Sequence, residues 1–204
     1  MNFIEFRNSF IEVGCVATHQ IMAQYPDFNS NNLTRWIKQG LLVKLRQGFY
    51  SFPELKGQSD FALYISNRIY KPSYISLHTV LAFYGIIPES ITQITGVSSL
   101  KTAEFQNNFG IYSYKTIKEE LMFGYELKPF GNRTIHFAHS EKALLDLLYL
   151  YPFYNTEEEL ADLRLDEDYM ENDINIERLD EYAKCFDNKA LTKRIELMKK
   201  IYGI

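Results

Sequence analysis

Apolar positions in the first fifty residues recur at helical spacing three times and then give way to two short apolar runs on either side of a turn. Phe3, Phe6, Phe10 and Ile11 predict an amphipathic helix over about residues 3–13, stopped by Gly14. Thr18 is the expected N-cap of a short second helix whose inward residues are Ile21, Met22 and Tyr25. After a turn at residues 26–29, Ser30 is expected to cap a third helix over residues 31–39, which Gly40 ends. Residues 41–45 then read as a strand, Arg46-Gln47-Gly48 as a tight turn and residues 49–52 as the returning strand, closed by Pro53.

Beyond a polar linker over residues 54–59, Phe61, Tyr64, Ile65 and Ile69 mark a helix from about 60 to 70, broken at Pro72-Ser73-Tyr74. A helix over about 76–84 ends at Gly85. Strand-like segments follow at 91–97, 109–116, 121–128 and 133–138, separated by Gly and Pro. Ser140 is expected to cap a strongly apolar helix reaching residue 150. Thr156 and Glu159 have the spacing of a capping box, and two more helices are expected at 176–186 and 189–202. The fold class predicted is α+β, with a winged helix-turn-helix over residues 1–55 and an α+β domain with a small antiparallel sheet over 56–152. Residues 153–204 form a helical extension, either separate or part of that domain.

The 204 residues carry a net charge of −4, unevenly spread. Residues 1–57 hold six Lys/Arg against four Asp/Glu, residues 58–150 eight of each, and residues 151–204 eight against 14. A mildly basic head and an acidic tail fit two jobs in one chain, one of them suited to phosphates. No stretch reaches the roughly 18 consecutive apolar residues of a membrane span, and no signal-peptide pattern opens the chain. Cys15 and Cys185 fit no metal-ligand spacing and read as free thiols in a reducing cytoplasm.

The third helix gives the head its chemistry. Leu33, Trp36 and Ile37 point one way, while Asn31, Asn32, Thr34, Arg35, Lys38 and Gln39 fill the other arc without an acidic group. Amide, hydroxyl and guanidinium groups pair with base edges in a major groove, where phosphates repel a carboxylate. A basic hairpin straight after such a helix has the layout of a wing, with Lys44, Arg46 and Gln47 at or near its tip and within reach of a DNA backbone. The alternative is a structural hairpin whose tip is polar only because it is solvated. The predicted DNA-binding set is Ser30, Asn31, Asn32, Thr34, Arg35, Lys38, Lys44, Arg46 and Gln47.

The run from Leu33 to Tyr50 resembles the winged helix of AbiEi-type antitoxins, in which a helix ends in Gly and a basic strand leads to an Arg-x-Gly-x-Tyr wing. The segment Pro72–Pro88, containing Tyr74, Ser76, Leu81 and Tyr84-Gly85, resembles the segment that follows the wing in that family, and Glu141-Lys142-Ala143-Leu144-Leu145-Asp146-Leu147-Leu148 resembles a later helix. The resemblance covers residues from about 12 to 152. It implies an antitoxin of a type IV toxin–antitoxin system that represses its own promoter at inverted repeats in double-stranded DNA. It also implies a nucleotidyltransferase-like toxin as partner, met directly or only functionally, with two heads pairing on DNA. A stand-alone winged-helix regulator with a ligand-sensing or dimerisation domain is the other reading.

Catalysis is not expected. His78, His136, His139 and Asp146 are the candidates for acid–base or metal chemistry, yet His136 and His139 are poorly spaced for a shared metal. Phosphate-loop, His-Glu-x-x-His and Gly-x-Ser-x-Gly patterns are missing from the sequence. The acidic stretch 162–173 lacks the Gly and terminal Glu of a calcium loop and reads as a solvated face or a contact for a basic partner. No cofactor or metal is expected.

Overall fold

Helix α1 (Phe3–Phe10) begins at Asn2, whose side chain accepts from the Glu5 N–H while the Glu5 carboxylate accepts from the Asn2 N–H. This reciprocal cap satisfies two donors that a helix start leaves without partners. In the computed structural model, which describes residues 1–58 and 60–204, there follow β1 (Val16–Ala17), α2 (Thr18–Gln24), α3 (Asn31–Lys38), β2 (Val43–Arg46) and β3 (Phe49–Ser51). The strands form an antiparallel sheet in the order β1-β3-β2. An aromatic cluster holds the helices together: the Phe6 ring lies 4.9 Å from Trp36 and 6.0 Å from Phe52, and Phe28 lies 5.9 Å from Trp36.

Two expected caps differ. Thr18 is the first helical residue of α2; its N–H and hydroxyl both donate to the Gly48 carbonyl, at 2.9 and 3.2 Å, which ties α2 to the hairpin turn. Ser30 precedes α3 without capping it, because its own backbone is already helical and its hydroxyl is not aimed back at the helix start. The Asn29 side chain takes that role, accepting from the Asn31 N–H at 3.0 Å.

The expected linker contains a 3-10 turn at Pro53–Gly57; Ser59, its last position, lies outside the described residues. The remaining elements are α4 (Phe61–Ile69), β4 (Ser73–Ile75), α5 (His78–Phe83), β5 (Ile94–Ser98), β6 (Ala103–Asn107), β7 (Gly110–Thr116), a 3-10 turn (Glu119–Leu121), β8 (Tyr125–Phe130), β9 (Arg133–Ala138), α6 (Ser140–Leu150), α7 (Glu157–Ala161), α8 (Glu167–Asn172), α9 (Ile176–Cys185) and α10 (Lys189–Tyr202).

The second sheet is not the small antiparallel one expected. It has six strands in the order β6-β7-β5-β4-β9-β8, with the β5–β7 and β4–β9 pairs parallel. Two of its strands were hidden. Strand β4 falls where Pro72-Ser73-Tyr74 reads as a break; its three residues are all buried, so no alternation betrays it. Strand β6 is polar at most positions, and by lying outside β7 it lets β7 return parallel to β5.

Helix α6 is buried from Ser140 to Leu148, its four polar residues there included, and packs against α5, α9 and α10. Ser140 is its first residue and not its cap; that position is held by His139, without a side-chain bond. The Thr156–Glu159 capping box is present. One buried core runs from Phe6 to Tyr202.

Candidate nucleic-acid interface

Burial of Leu33 and Trp36 fixes which way α3 faces. Asn31, Thr34, Arg35, Lys38 and Gln39 are exposed on it, and Asn32 is half-buried. Ser30 is exposed just before the helix. Among the described residues neither Arg35 nor Lys38 is in an ion pair. Both lie in the last turn, where the helix dipole favours positive charge.

On the hairpin, Lys44 and Gln47 are exposed, with the Lys44 ammonium donating to the Gln47 side-chain oxygen at 3.2 Å. Lys44 also borders a groove shared with Ile37 and Gly40 at the end of α3 and with Asn108 of the β6–β7 turn.

Arg46 does not stand at the tip. A register shift between Lys44 and Arg46 interrupts the alternation of β2 and turns this side chain toward the larger sheet. Its guanidinium donates to the Ile69 carbonyl at 2.6 Å and lies 4.6 Å from the centre of the Phe105 ring and 5.5 Å from that of Tyr70. A planar, weakly hydrated cation is suited to such a stacked, half-buried place. The Asn107 side chain adds a bond to the Leu45 carbonyl at 3.2 Å, so the hairpin leans on β6. Arg46, expected at or near the tip, is therefore held instead in the seam between the two sheets. The ring partners that draw it in are far away in sequence, so no local pattern reveals them.

The candidate acid–base groups are dispersed. His78 is half-buried on α5, edge-on to the Tyr151 ring at 5.8 Å, and burial lowers its pKa. Exposed His136 stacks on Tyr125 at 5.4 Å, while His139 Nδ1 shares a 2.9 Å hydrogen bond with the Tyr182 hydroxyl. Among the described residues no three His, Cys, Asp or Glu side chains are grouped to hold a metal ion. Cys15 and Cys185 are unpaired as thiols, and burial pushes the Cys15 thiol up to about 12.

Asp146 is a structural anchor. It is fully buried, paired with Lys142 one turn earlier, and accepts from the Tyr74 and Ser76 hydroxyls at 2.9 and 2.7 Å. The Lys142 ammonium also donates to the Tyr74 hydroxyl at 2.7 Å and lies about as close as 4.9 Å to the Phe186 ring centre. With both charged side chains wholly shielded from solvent, this cluster pins α6 to β4 and offers a substrate no access. Lys142 carried a sequence signal of its own, a cation four residues before Asp146 on a leucine-rich helix.

Among the described residues no helix is long and apolar enough to cross a membrane. In comparison with known proteins, no family model matches the chain and no curated protein matches it.

Proposed function

We propose that the N-terminal part is a winged helix-turn-helix that binds double-stranded DNA, and that the whole chain is an AbiEi-like antitoxin and autorepressor of the cytoplasm. The observation that carries the DNA reading is the exposed face of α3, which presents Asn31, Thr34, Arg35 and Lys38 with no acidic residue and no ion pair among the described residues. The element order, with a strand between the first two helices and a β1-β3-β2 sheet, agrees with this reading. In it, α3 enters the major groove while Lys44 and Gln47 hold the backbone.

The antitoxin reading rests on the three sequence patterns that resemble the AbiEi family. One of them has a structural cause of its own, because Lys142 and Asp146 form an ion pair within α6 that is hydrogen-bonded to Tyr74 of β4. A nucleotidyltransferase-like toxin is the partner proposed, and two heads on inverted repeats the DNA-bound form.

A gel shift on the DNA upstream of its own gene tests the first half. Arg35→Ala is expected to weaken binding by about 1–3 kcal/mol. An unchanged shift for an Arg35→Ala/Lys38→Ala double variant overturns the DNA reading. Co-expression with the nucleotidyltransferase-like toxin tests the second half: restored growth supports the antitoxin assignment, and continued arrest defeats it.

A further inference from the structure

Two clefts, of about 420 and 430 Å³, open along the seam where the N-terminal part meets α4 and the larger sheet, and Arg68 and Lys71 line both of them. Arg68 lies in the last turn of α4, and Lys71 follows just beyond it. Arg133, at the start of β9, joins them in the second cleft. The guanidinium groups of Arg68 and Arg133 lie 5.8 and 5.3 Å from the centre of the same Tyr64 ring, which holds both at the wall of the cleft. Among the described residues Arg133 donates only to neutral oxygens, the Gln58 side chain at 2.9 Å and the Glu12 carbonyl at 3.4 Å.

Among the described residues, none of these three cations is in an ion pair. Among the described residues lining the second cleft the one carboxylate is Glu12, which accepts from Asn132. Partial desolvation at the cleft wall, and then the charge of Arg68, lower the pKa of the otherwise exposed Lys71 ammonium. Three cations against the single carboxylate of Glu12 among the described lining residues leave a net positive charge, and a bound anion relieves the repulsion between them. Two guanidinium planes and an ammonium suit the several oxygens of a phosphate. The clefts are of mononucleotide size and too small for a duplex.

We propose that this seam binds a small phosphorylated ligand of nucleotide size, held by Arg68, Lys71 and Arg133. Because the cleft walls come from the loop after α1 as well as from α4 and β9, an occupant bridges the head and the larger sheet. This site is separate from the exposed face of α3 and does not depend on the head binding DNA.

Calorimetric titration of the full chain with pyrophosphate and with adenosine monophosphate, at constant ionic strength, tests it. Saturable binding is expected, weakened about tenfold or more by Lys71→Ala and by Arg68→Gln, the scale of one lost charge-assisted contact. Lys71 is exposed, so its removal leaves the fold intact even where Arg68→Gln does not, as a melting curve verifies. Absence of saturable heat with either probe overturns the proposal, and so does equal binding by wild type and Lys71→Ala. Loss of DNA affinity in Lys71→Ala without any binding of the small probes also overturns it, and assigns the cations to a DNA backbone. Failure of the Arg35→Ala gel shift bears only on the head.

Discussion

The guanidinium of Arg46, at the hairpin, donates to the carbonyl of Ile69, in helix α4, at 2.6 Å. That contact makes the hairpin part of the seam. Arg46→Ala is expected to lower stability by about 2 kcal/mol, from a charged hydrogen bond and a desolvated cation–π contact together. Urea unfolding measures it. Arg46→Lys recovers little, since an ammonium does not stack as a guanidinium plane does. A loss below a few tenths of a kcal/mol would show that the seam does not rely on this residue.

Lys44, two residues earlier, behaves differently. Its side chain is exposed and, among the described residues, bonded only to Gln47, so Lys44→Ala leaves stability unchanged. In the proposed DNA complex it reduces the slope of log affinity against log salt by about 1, as one lost phosphate contact does. Arg46→Ala leaves that slope unaltered. The reverse pattern, with Arg46 controlling the slope, would mean that the hairpin leaves the seam when it meets DNA.

A third expectation concerns two glycines with the same φ of +72° and different surroundings. A Cβ on Gly40 meets nothing within 4 Å, whereas one on Gly14 lies 2.8 Å from the Phe61 ring and 3.1 Å from the Arg133 guanidinium. Gly40→Ala bears only the left-handed backbone penalty, about 1–2 kcal/mol. Gly14→Ala adds overpacking of about 1–3 kcal/mol, because Phe61 and Arg133 are themselves held by neighbours. Matched urea midpoints for the two variants would rule out a tight seam at Gly14.

These residues also mark how far sequence alone carries. The face of α3 was legible because Leu33 and Trp36 repeat at helical spacing, so the polar arc follows by geometry. The Thr156–Glu159 cap was legible because it is a local exchange of two hydrogen bonds. Strand β4 was not, since a three-residue strand buried on both faces has no alternation to display. The inward turn of Arg46 was not, since Tyr70 and Phe105 meet it only after the larger sheet has formed. Ser30 shows a finer limit: residue type announces that a cap is near, but the backbone decides whether Ser30 or Asn29 supplies it.

The Lys142–Asp146 pair yields the last prediction, and its sign follows from burial. Burial raises the Asp146 pKa above its ordinary 3.8, with the Lys142 charge opposing that rise, and burial lowers the Lys142 pKa below its ordinary 10.5, with the Asp146 charge opposing that fall. As pH rises through 3.8 the unfolded carboxyl ionises more readily than the folded one, so this group withdraws stability. As pH falls through 10.5 the unfolded amine takes its proton more readily than the folded one, so Lys142 withdraws stability too. Both losses are in force near neutral pH, where the pair persists through its mutual attraction and the Tyr74 and Ser76 hydroxyls. Lys142→Met therefore strands a buried carboxylate and is expected to lose about 3–5 kcal/mol at pH 7. The loss shrinks as the solution is acidified and Asp146 takes a proton. Lys142→Met/Asp146→Leu recovers part of the loss by removing the stranded charge, but not all, because the Tyr74 and Ser76 hydroxyls lose their acceptor. Urea unfolding of the single and double variants across pH 4–8 measures both effects; a double variant no more stable than Lys142→Met would show that the two charges are not coupled.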